Sequence, residues 1–202
     1  MTSISHHRPG NSDPSFGYDG VADAYCAARS SIGREVVETW AAQLPEGGAV
    51  LDVGAGSGDP MTPVLLEAGL DVFAIDASPR LVALYRERFP EARIACEPAE
   101  TSPFFARTFD GVLAIGLVFL LPEARQRVVL AKMARALNSG GSLLFSAPQQ
   151  MVSWDDALTG RPSRSLGETG YREILHDEGL DVVATSSDEG SNHYYHAVRP
   201  AS

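Results

Sequence analysis

The hydrophobic positions along the chain follow two alternating spacings, and these predict a succession of strands and helices. Short apolar runs bounded by glycine or charged residues predict buried parallel strands at residues 50–53, 72–75 and 93–96. Apolar residues at helical spacing follow Pro60 and Ser78, with Ser78 predicted as a helix N-cap. Strands that alternate with helices in this way predict an α/β domain with a parallel sheet.

The second half of the chain continues the pattern and adds a polar stretch. In chain order it predicts a helix, a strand, a helix and a closing hairpin, at residues 122–137, 142–145, 171–178 and 181–185 with 193–198. Residues 159–167 contain two arginines and few apolar side chains, so we interpret them as a long polar loop and a candidate lid. Upstream, residues 18–44 show helical spacing and predict one or two helices before the first strand.

Three glycines follow the first strand directly. Gly54, Gly56 and Gly58 lie between that strand and the next helix, which is the arrangement that cradles nucleotide-type cofactors. Their Gly-x-Gly-x-Gly spacing differs from the Gly-x-Gly-x-x-Gly of a dinucleotide site. Asp52 precedes them, and its carboxylate would repel a pyrophosphate and suit a positively charged ligand. Asp76 ends the second strand 22 residues after Gly54, the spacing expected for a carboxylate that binds ribose hydroxyls.

Residues 50–58, Val-Leu-Asp-Val-Gly-Ala-Gly-Ser-Gly, resemble motif I of the class I S-adenosylmethionine-dependent methyltransferases, and residues 73–78 resemble their motif II. The resemblance extends from about Tyr18 to Ala147. It implies a doubly wound, Rossmann-like seven-stranded sheet that is mostly parallel and ends in an antiparallel hairpin. It also implies S-adenosylmethionine as cofactor, contacted by a set that includes Asp52, Gly54, Ala55, Gly56, Gly58, Asp76 and Ala77.

The adenine end departs from the family pattern. Relatives usually have Gly-Asp-Ala-Glu where residues 97–100 are Glu-Pro-Ala-Glu, so Pro98 offers neither a side-chain acceptor nor an N–H. The resemblance leaves the backbone N–H of Ala99 as a donor to the ring. Glu100, Glu97 or a main-chain carbonyl would accept from the exocyclic amine.

At the methyl end, residues 108–116 resemble the family's fourth motif, which implies that Ala114, Ile115 and Gly116 line the cofactor. Some relatives have two histidines where this chain has Phe119 and Leu120, which would form an apolar wall. The lead-in from Tyr18 to Tyr25, followed by Arg29, also resembles the family. It implies contact of Tyr25 and Arg29 with the methionine part of the cofactor, with core packing and a solvated helix face as the respective alternatives.

Acid–base and acceptor residues are predicted from the last quarter of the chain. A general base is needed only for a protonated acceptor, and the candidates are His193, Tyr194, Tyr195 and His196, with the histidines favoured because His titrates near neutrality. Alternation along the strand places His193 and Tyr195 on one face and His196 on the other. Candidate acceptor contacts are Trp154, Arg161, Arg164 and Tyr195. Arginines facing the pocket would favour a carboxylate or phosphate, whereas the alternative is an ordinary surface position.

Composition narrows the remaining possibilities. The net charge of −10 opposes binding to nucleic acid or to an anionic membrane surface, and no apolar run approaches the ~20 residues of a membrane span. The cysteines, Cys26 and Cys96, lack metal or redox spacing, so no metal is expected and a cytoplasmic location is the default. Residues 1–15 are predicted to be a disordered leader, and 16–202 a single methyltransferase domain.

The resulting hypothesis is methyl transfer from S-adenosylmethionine to an oxygen, nitrogen or sulfur of a small molecule. Two alternatives stay open. A non-catalytic S-adenosylmethionine-binding or regulatory module would fit Pro98 and the lack of an obvious base. A protein or tRNA methyltransferase is the second, although the acidic charge opposes the tRNA version.

Overall fold

The glycine-bounded apolar runs form the centre of a seven-stranded sheet in a computed structural model that describes residues 13–201. The described residues form the strands β1 (Ala49–Val53), β2 (Asp71–Asp76), β3 (Arg93–Cys96), β4 (Phe109–Ala114), β5 (Leu137–Ser146), β6 (Met151–Asp155), β7 (Pro162–Leu166), β8 (Asp181–Ser187) and β9 (His193–Val198). Its helices are α1 (Ala22–Ala28), α2 (Arg34–Ala41), α3 (Met61–Glu67), α4 (Pro79–Arg88), α5 (Glu123–Arg135) and α6 (Gly167–Asp177). Two short 3₁₀ turns cover Phe104–Ala106 and Val118–Leu120.

The strand order of the large sheet is β3-β2-β1-β4-β5-β9-β8. Strands β1 to β5 run parallel, β9 is antiparallel to β5, and β8 is antiparallel to β9. The predicted doubly wound, mostly parallel sheet with an antiparallel hairpin at its end is therefore confirmed. The order changes direction at β1, which pairs with β2 on one side and β4 on the other, and ligands bind at such a switch point.

Burial explains why β1 lies at the centre. All five of its residues are buried, as expected for a strand that is covered on both faces. Val50 packs in a cluster with Val37 and Trp40 of α2, whereas Leu51 belongs to the cluster on the opposite face that includes residues of α5 and α6. The sheet is therefore covered by a helical layer on each side.

Ser78 confirms the predicted helix start and also anchors the N-terminal segment. Its Oγ accepts a hydrogen bond of 3.1 Å from the backbone N–H of Leu81 and donates one of 2.7 Å to Asp19 Oδ1. The same Asp19 oxygen accepts from the backbone N–H of Arg80 at 2.9 Å. Residues 13–29, which we call the N-terminal strap, are thereby fixed to the start of α4.

The prediction of a polar loop at residues 159–167 was wrong for the second half of that segment. Residues 162–166 form β7, which pairs with β6 in a separate two-stranded sheet, the β6–β7 hairpin, with Trp154 opposite Ser163. Ser163 and Ser165 are buried on one face and Arg164 is exposed on the other. The alternation has the period of a strand, but serine occupies its buried positions, so hydrophobicity did not reveal it. The buried hydroxyl of Ser165 has a hydrogen-bond partner, because its Oγ donates to the carbonyl of Pro148 at 2.6 Å.

Strand β5 begins earlier than the predicted residue 142, because Leu137 already pairs with Phe109 before a register shift.

Residues 1–12 of the predicted leader lie outside the described residues. Its last part, residues 13–15, belongs to the fold: Ser15 is buried, and Asp13 accepts hydrogen bonds from Ser15 and Gly17. Across residues 13–201, no helix is long and apolar enough to cross a bilayer.

Candidate active site

A cavity of about 670 Å³ opens at the carboxyl ends of the central strands, at the switch point of the sheet. This volume lies in the range of pockets that hold a cofactor or a drug-sized ligand. One part of its wall is the glycine turn after β1 with the end of β2. The other part is formed by the β6–β7 hairpin, the start of β9 and the N-terminal strap.

The glycine turn lies close to an aromatic side chain. Gly54 and Gly56 line the cavity with φ angles of 77° and 59°, a region that glycine adopts readily. A Cβ on Gly56 would lie 2.5 Å from the hydroxyl oxygen of Tyr25, so a side chain at this position could not be accommodated without displacing the tyrosine. The gap between Gly56 and Tyr25 therefore requires a residue without a side chain.

Asp76 is positioned by the backbone around it. Its Oδ2 accepts a 2.8 Å hydrogen bond from the N–H of Gly56, and its Oδ1 accepts one of 2.8 Å from the N–H of Ser78. Burial raises the pKa of Asp76, while these backbone N–H groups act in the opposite direction. Each carboxylate oxygen can still accept a further hydrogen bond from a ligand, so Asp76 can bind a pair of hydroxyl groups.

Asp52 lies beneath the turn and does not line the cavity, which corrects its expected contact with the cofactor. Asp52 is only 3% exposed. Burial raises the pKa of Asp52 to about 7, repulsion from Asp76 adds to the rise, and the Arg29 guanidinium opposes it. Asp52 therefore acts on the site through its charge, from behind the wall.

Of the other predicted cofactor residues, one group lines the cavity: Tyr25, Gly54, Gly56, Asp76, Ala77, Ala99, Glu100, Ile115 and Gly116. A second group does not line it: Ala55, Gly58, Pro98 and Ala114. Ala55 packs with Ala74 and Val82 behind the turn, and a Cβ on Gly58 would meet Phe89 at 2.4 Å. These two positions serve packing because the turn directs them away from the cavity.

The loop around Pro98 is held from outside by Lys132, the only lysine of the chain. Its ammonium group donates to the carbonyl oxygens of Ala99, Glu100 and Ser102 at 2.8, 2.9 and 2.7 Å. Glu97 and Glu100 line the cavity beside this loop. These three hydrogen bonds therefore hold the backbone of the loop next to Pro98 in place.

Tyr25 and Arg29 of the N-terminal strap approach the glycine turn. The Arg29 guanidinium lies 5.3 Å from the centre of the Tyr25 ring, and its Nε donates to the carbonyl of Asp59 at 2.9 Å. Burial raises the pKa of Tyr25 to about 12, so its hydroxyl stays neutral. Both residues line the cavity, and Arg29 is the one Lys or Arg among residues 13–201 that does.

The opposite part of the cavity is aromatic. Phe119 and Trp154 pack with ring centres 5.4 Å apart, and both line the cavity, as expected for the apolar wall and for Trp154. Asp156 lines it as well, and its Oδ2 accepts a 3.1 Å hydrogen bond from the hydroxyl of Tyr18. This wall combines flat apolar surfaces with a single carboxylate.

His193 lies at the border of this aromatic part. Its Nε2 is buried and finds no hydrogen-bond partner within the described residues, and its Nδ1 is 3.4 Å from Ser187 Oγ. Burial lowers the pKa of His193, so the neutral imidazole prevails at pH 7. His193 is among the residues that line the cavity, and a neutral imidazole can act as a base towards a bound molecule.

His196 and Tyr195 do not line the cavity, which corrects both predictions. His196 Nε2 contacts Ser142 Oγ at 2.8 Å, and it borders a shallower cleft at the amino ends of the central strands. Tyr195 is fully buried and stacks on Phe145 with ring centres 4.9 Å apart. The cavity meets only the start of β9, so position along the strand decides contact as much as the face does.

Arg161 and Arg164 were also wrongly placed in the pocket. Arg161 forms a 3.0 Å ion pair with Asp13, and Arg164 forms one of 3.3 Å with Glu123. Both arginines are exposed and neither lines the cavity. Their partners could not be predicted from local spacing, because Asp13 and Glu123 are distant along the chain.

Residues 50–141 match the family profile of the methyltransferase domain. The match includes the glycine turn and Asp76 and covers a little under half of the chain. It is similar to an uncharacterized methyltransferase of Mycobacterium bovis, with 30% identity over 145 residues that cover 70% of this chain and 57% of that protein. It is also similar to a demethylmenaquinone methyltransferase of Renibacterium salmoninarum, with 32% identity over 135 residues, 65% of this chain and 55% of that protein.

The chain thus spans a little over half the length of these curated relatives. Among solved structures, its fold resembles the magnesium protoporphyrin IX methyltransferase of Synechocystis with bound S-adenosylmethionine. The TM-score is 0.73 at 16% identity, covering 96% of this chain and 100% of that one. At this identity the likeness shows the fold alone.

Some residues that line the cavity were not predicted to do so, among them Asp156 and Leu158. Asp156 had a local signal: its Oδ1 accepts from the backbone N–H groups of Leu158 and Thr159, a turn that Asp typically begins. Tyr194, a predicted candidate base, lines the cavity as well, and its hydroxyl donates to Asp188 Oδ2 at 2.7 Å. Across residues 13–201, no three His, Cys, Asp or Glu side chains are grouped as a metal site would require.

Proposed function

We propose that the protein transfers a methyl group from S-adenosylmethionine to a small-molecule acceptor. The observation that carries the proposal is the position of Asp76, held by the N–H groups of Gly56 and Ser78 beside a glycine turn that borders the cavity. The match of residues 50–141 to the methyltransferase profile supports the reaction type. The small-molecule acceptor is supported by the names of similar proteins, which refer to demethylmenaquinone and magnesium protoporphyrin IX.

The residues fit this cofactor. Gly54 and Gly56 bring the backbone of the turn to the cavity wall without side chains, and Asp76 would accept hydrogen bonds from the ribose hydroxyls. Arg29 would pair with the carboxylate of the methionine part, and the N–H of Ala99 with Glu97 or Glu100 would border adenine. When bound, the cofactor supplies an electrophilic methyl carbon on a positively charged sulfur.

The chain's own contribution to the reaction is positioning, exclusion of water and removal of a proton. Phe119 and Trp154 give the acceptor part of the cavity an apolar wall, which keeps water away from a bound molecule. The imidazole of His193 would accept the proton of an acceptor hydroxyl or ammonium group. Holding the acceptor atom in line with the methyl carbon is the main source of rate enhancement.

The first experiment is a calorimetric titration of the protein with S-adenosylmethionine and S-adenosylhomocysteine. We compare Asp76→Ala with Asp71→Ala, a matched control because Asp71 begins the same strand, is partly exposed and pairs with Arg93. Loss of hydrogen bonds to a charged group is worth ~1.5–3 kcal/mol each, so Asp76→Ala should weaken binding at least tenfold. Asp71→Ala should bind like the wild type.

Two results would contradict the proposal: absence of binding by the folded wild type, or equal binding by both variants. Circular dichroism verifies that each variant is folded. A subsequent acceptor screen by mass spectrometry, which looks for products one methyl group heavier, separates a methyltransferase from a non-catalytic binding module.

A further inference from the structure

We propose that the acceptor is a flat, apolar molecule that carries a protonated amine and no anionic group. The inference rests on the proposed function, and it adds the chemical class of the acceptor. The observations behind it are the charges that line the cavity, the Phe119–Trp154 pair and the placement of Asp156.

The cavity is acidic on both sides. Its carboxylates are Asp76, Glu97, Glu100 and Asp156, whereas Arg29 is the one Lys or Arg among the described residues that lines it. Arg29 lies beside Tyr25 and Asp59 at the glycine turn, where the cofactor's own carboxylate would pair with it. No guanidinium or ammonium group of residues 13–201 is then left for an anion in the acceptor part.

Arg161 and Arg164 do not change this balance. Each is paired with a carboxylate, Asp13 and Glu123 respectively, on the outside of the β6–β7 hairpin. An acceptor carboxylate would enter an aromatic space beside Asp156 without a cation to pair with. Burial of an unpaired charge is costly, so the wall disfavours anions.

Asp156 remains charged because its surroundings hold it so. Burial acts to raise its pKa, but hydrogen bonds from Thr159 and from the Tyr18 hydroxyl outweigh burial and hold the pKa of Asp156 below its ordinary value. Oδ1 is engaged by Leu158 and Thr159, while Oδ2 receives Tyr18 alone. A second donor can therefore reach Oδ2 from the cavity.

The aromatic pair completes the recognition of a cation. Phe119 and Trp154 pack against each other in the cavity wall. Asp156 lies two residues after Trp154 in the sequence. Aromatic faces attract an ammonium group, and the attraction grows when water is excluded. Flat apolar rings stack on the same surfaces, so one wall can bind both the body of the acceptor and its charged end.

The test uses three probes with one aromatic body and different charges: 2-naphthylmethylamine, 2-naphthylmethanol and 2-naphthoate. Each is titrated calorimetrically at neutral pH into the protein saturated with S-adenosylhomocysteine. We expect the amine to bind most tightly, then the alcohol, then the carboxylate, with about tenfold between the two ends. Asp156→Asn should lower the affinity of the amine to that of the alcohol and leave the alcohol unchanged.

Arg164→Ala is the matched control, since it changes the charge of the same hairpin on its outer face. It should keep the order of the three probes. Trp154→Ala should weaken all three probes, and the amine most, because it removes an aromatic face that attracts the ammonium group. The inference is overturned if the carboxylate binds as tightly as the amine, or if Asp156→Asn weakens the amine no more than the alcohol. Failure of S-adenosylhomocysteine to bind at all would instead contradict the proposed function, so the two results are distinguishable.

Discussion

The hydroxyl of Tyr18 donates a 3.1 Å hydrogen bond to Asp156 Oδ2, which joins the N-terminal strap to the turn of the β6–β7 hairpin. The strap is fixed at its other side by Asp19, which accepts from Ser78 and from the N–H of Arg80. One short segment thereby connects the ribose side of the cavity, next to Asp76, with the acceptor side.

Replacement of Tyr18 by phenylalanine should loosen this connection. The exposed Asp13–Arg161 ion pair contributes little, so the hydroxyl is the main polar link. We expect Tyr18→Phe to cost about 1 kcal/mol of unfolding free energy and to speed amide exchange in residues 13–20 and 156–160. Hydrogen–deuterium exchange with mass spectrometry measures this.

Tyr194→Phe is the control, because it removes a similar hydrogen bond at another position. In the wild type the Tyr194 hydroxyl donates to Asp188 Oδ2 at 2.7 Å. Amides in residues 13–20 should exchange as slowly in this variant as in the wild type. Unchanged exchange in Tyr18→Phe would show that packing alone holds the strap.

Gly56→Ala should damage cofactor binding more than stability. The new Cβ would meet the Tyr25 hydroxyl, so the tyrosine must leave the cavity wall. Gly69→Ala is the matched control, with a φ of 74° and no atom within 4 Å of the added Cβ. Both variants should lose ~1–2 kcal/mol of stability from the left-handed backbone. Only Gly56→Ala should weaken S-adenosylhomocysteine binding, measured by calorimetry; equal affinities would contradict the role of the Gly56–Tyr25 gap.

Asp52 should make stability depend on pH. Burial raises its pKa to about 7, with Asp76 adding to the rise, so the folded state retains a proton that the unfolded chain releases near pH 4. The contribution of Asp52 to stability is thus present at low pH and is lost as pH rises from about 4 to about 7. The gain of Asp52→Asn over the wild type should grow through that range, by up to about 4 kcal/mol. Urea unfolding at a series of pH values measures the difference, and a gain independent of pH would refute it.

His193 and His196 form a matched pair for catalysis. His193→Gln should lower kcat by about 10²-fold or more, the contribution typical of a general base, and remove the fall in rate at acid pH. Burial lowers the pKa of His193, so that fall should lie below pH 6.5 in the wild type. His196→Gln should keep the wild-type pH profile, because His196 contacts Ser142 away from the cavity. Equal loss in both variants would indicate a structural effect.

The central fold was predictable because its signals are local. An apolar run followed by glycines, with Asp76 at the end of the next strand, describes the switch point without knowledge of tertiary contacts. The start of α4 at Ser78 was confirmed for the same reason, since capping involves neighbours along the chain.

The acceptor part of the site was less predictable because long-range contacts decide it. The orientation of Arg161 depends on Asp13, which is 148 residues away in sequence. The alternation rule correctly separated His193 from His196, but it could not show that the cavity ends after the first residues of β9. Buried serines in β7 concealed a strand that hydrophobicity would otherwise have indicated.

The β6–β7 hairpin is a sheet of its own, separate from the seven-stranded sheet that presents the glycine turn and Asp76. Changes on its inner face therefore leave the strand pairing of the large sheet intact. Under the proposed function, the inner face of this segment of sixteen residues, Met151 to Leu166, can therefore change and alter the choice of acceptor while the strands that carry the glycine turn and Asp76 keep their pairing.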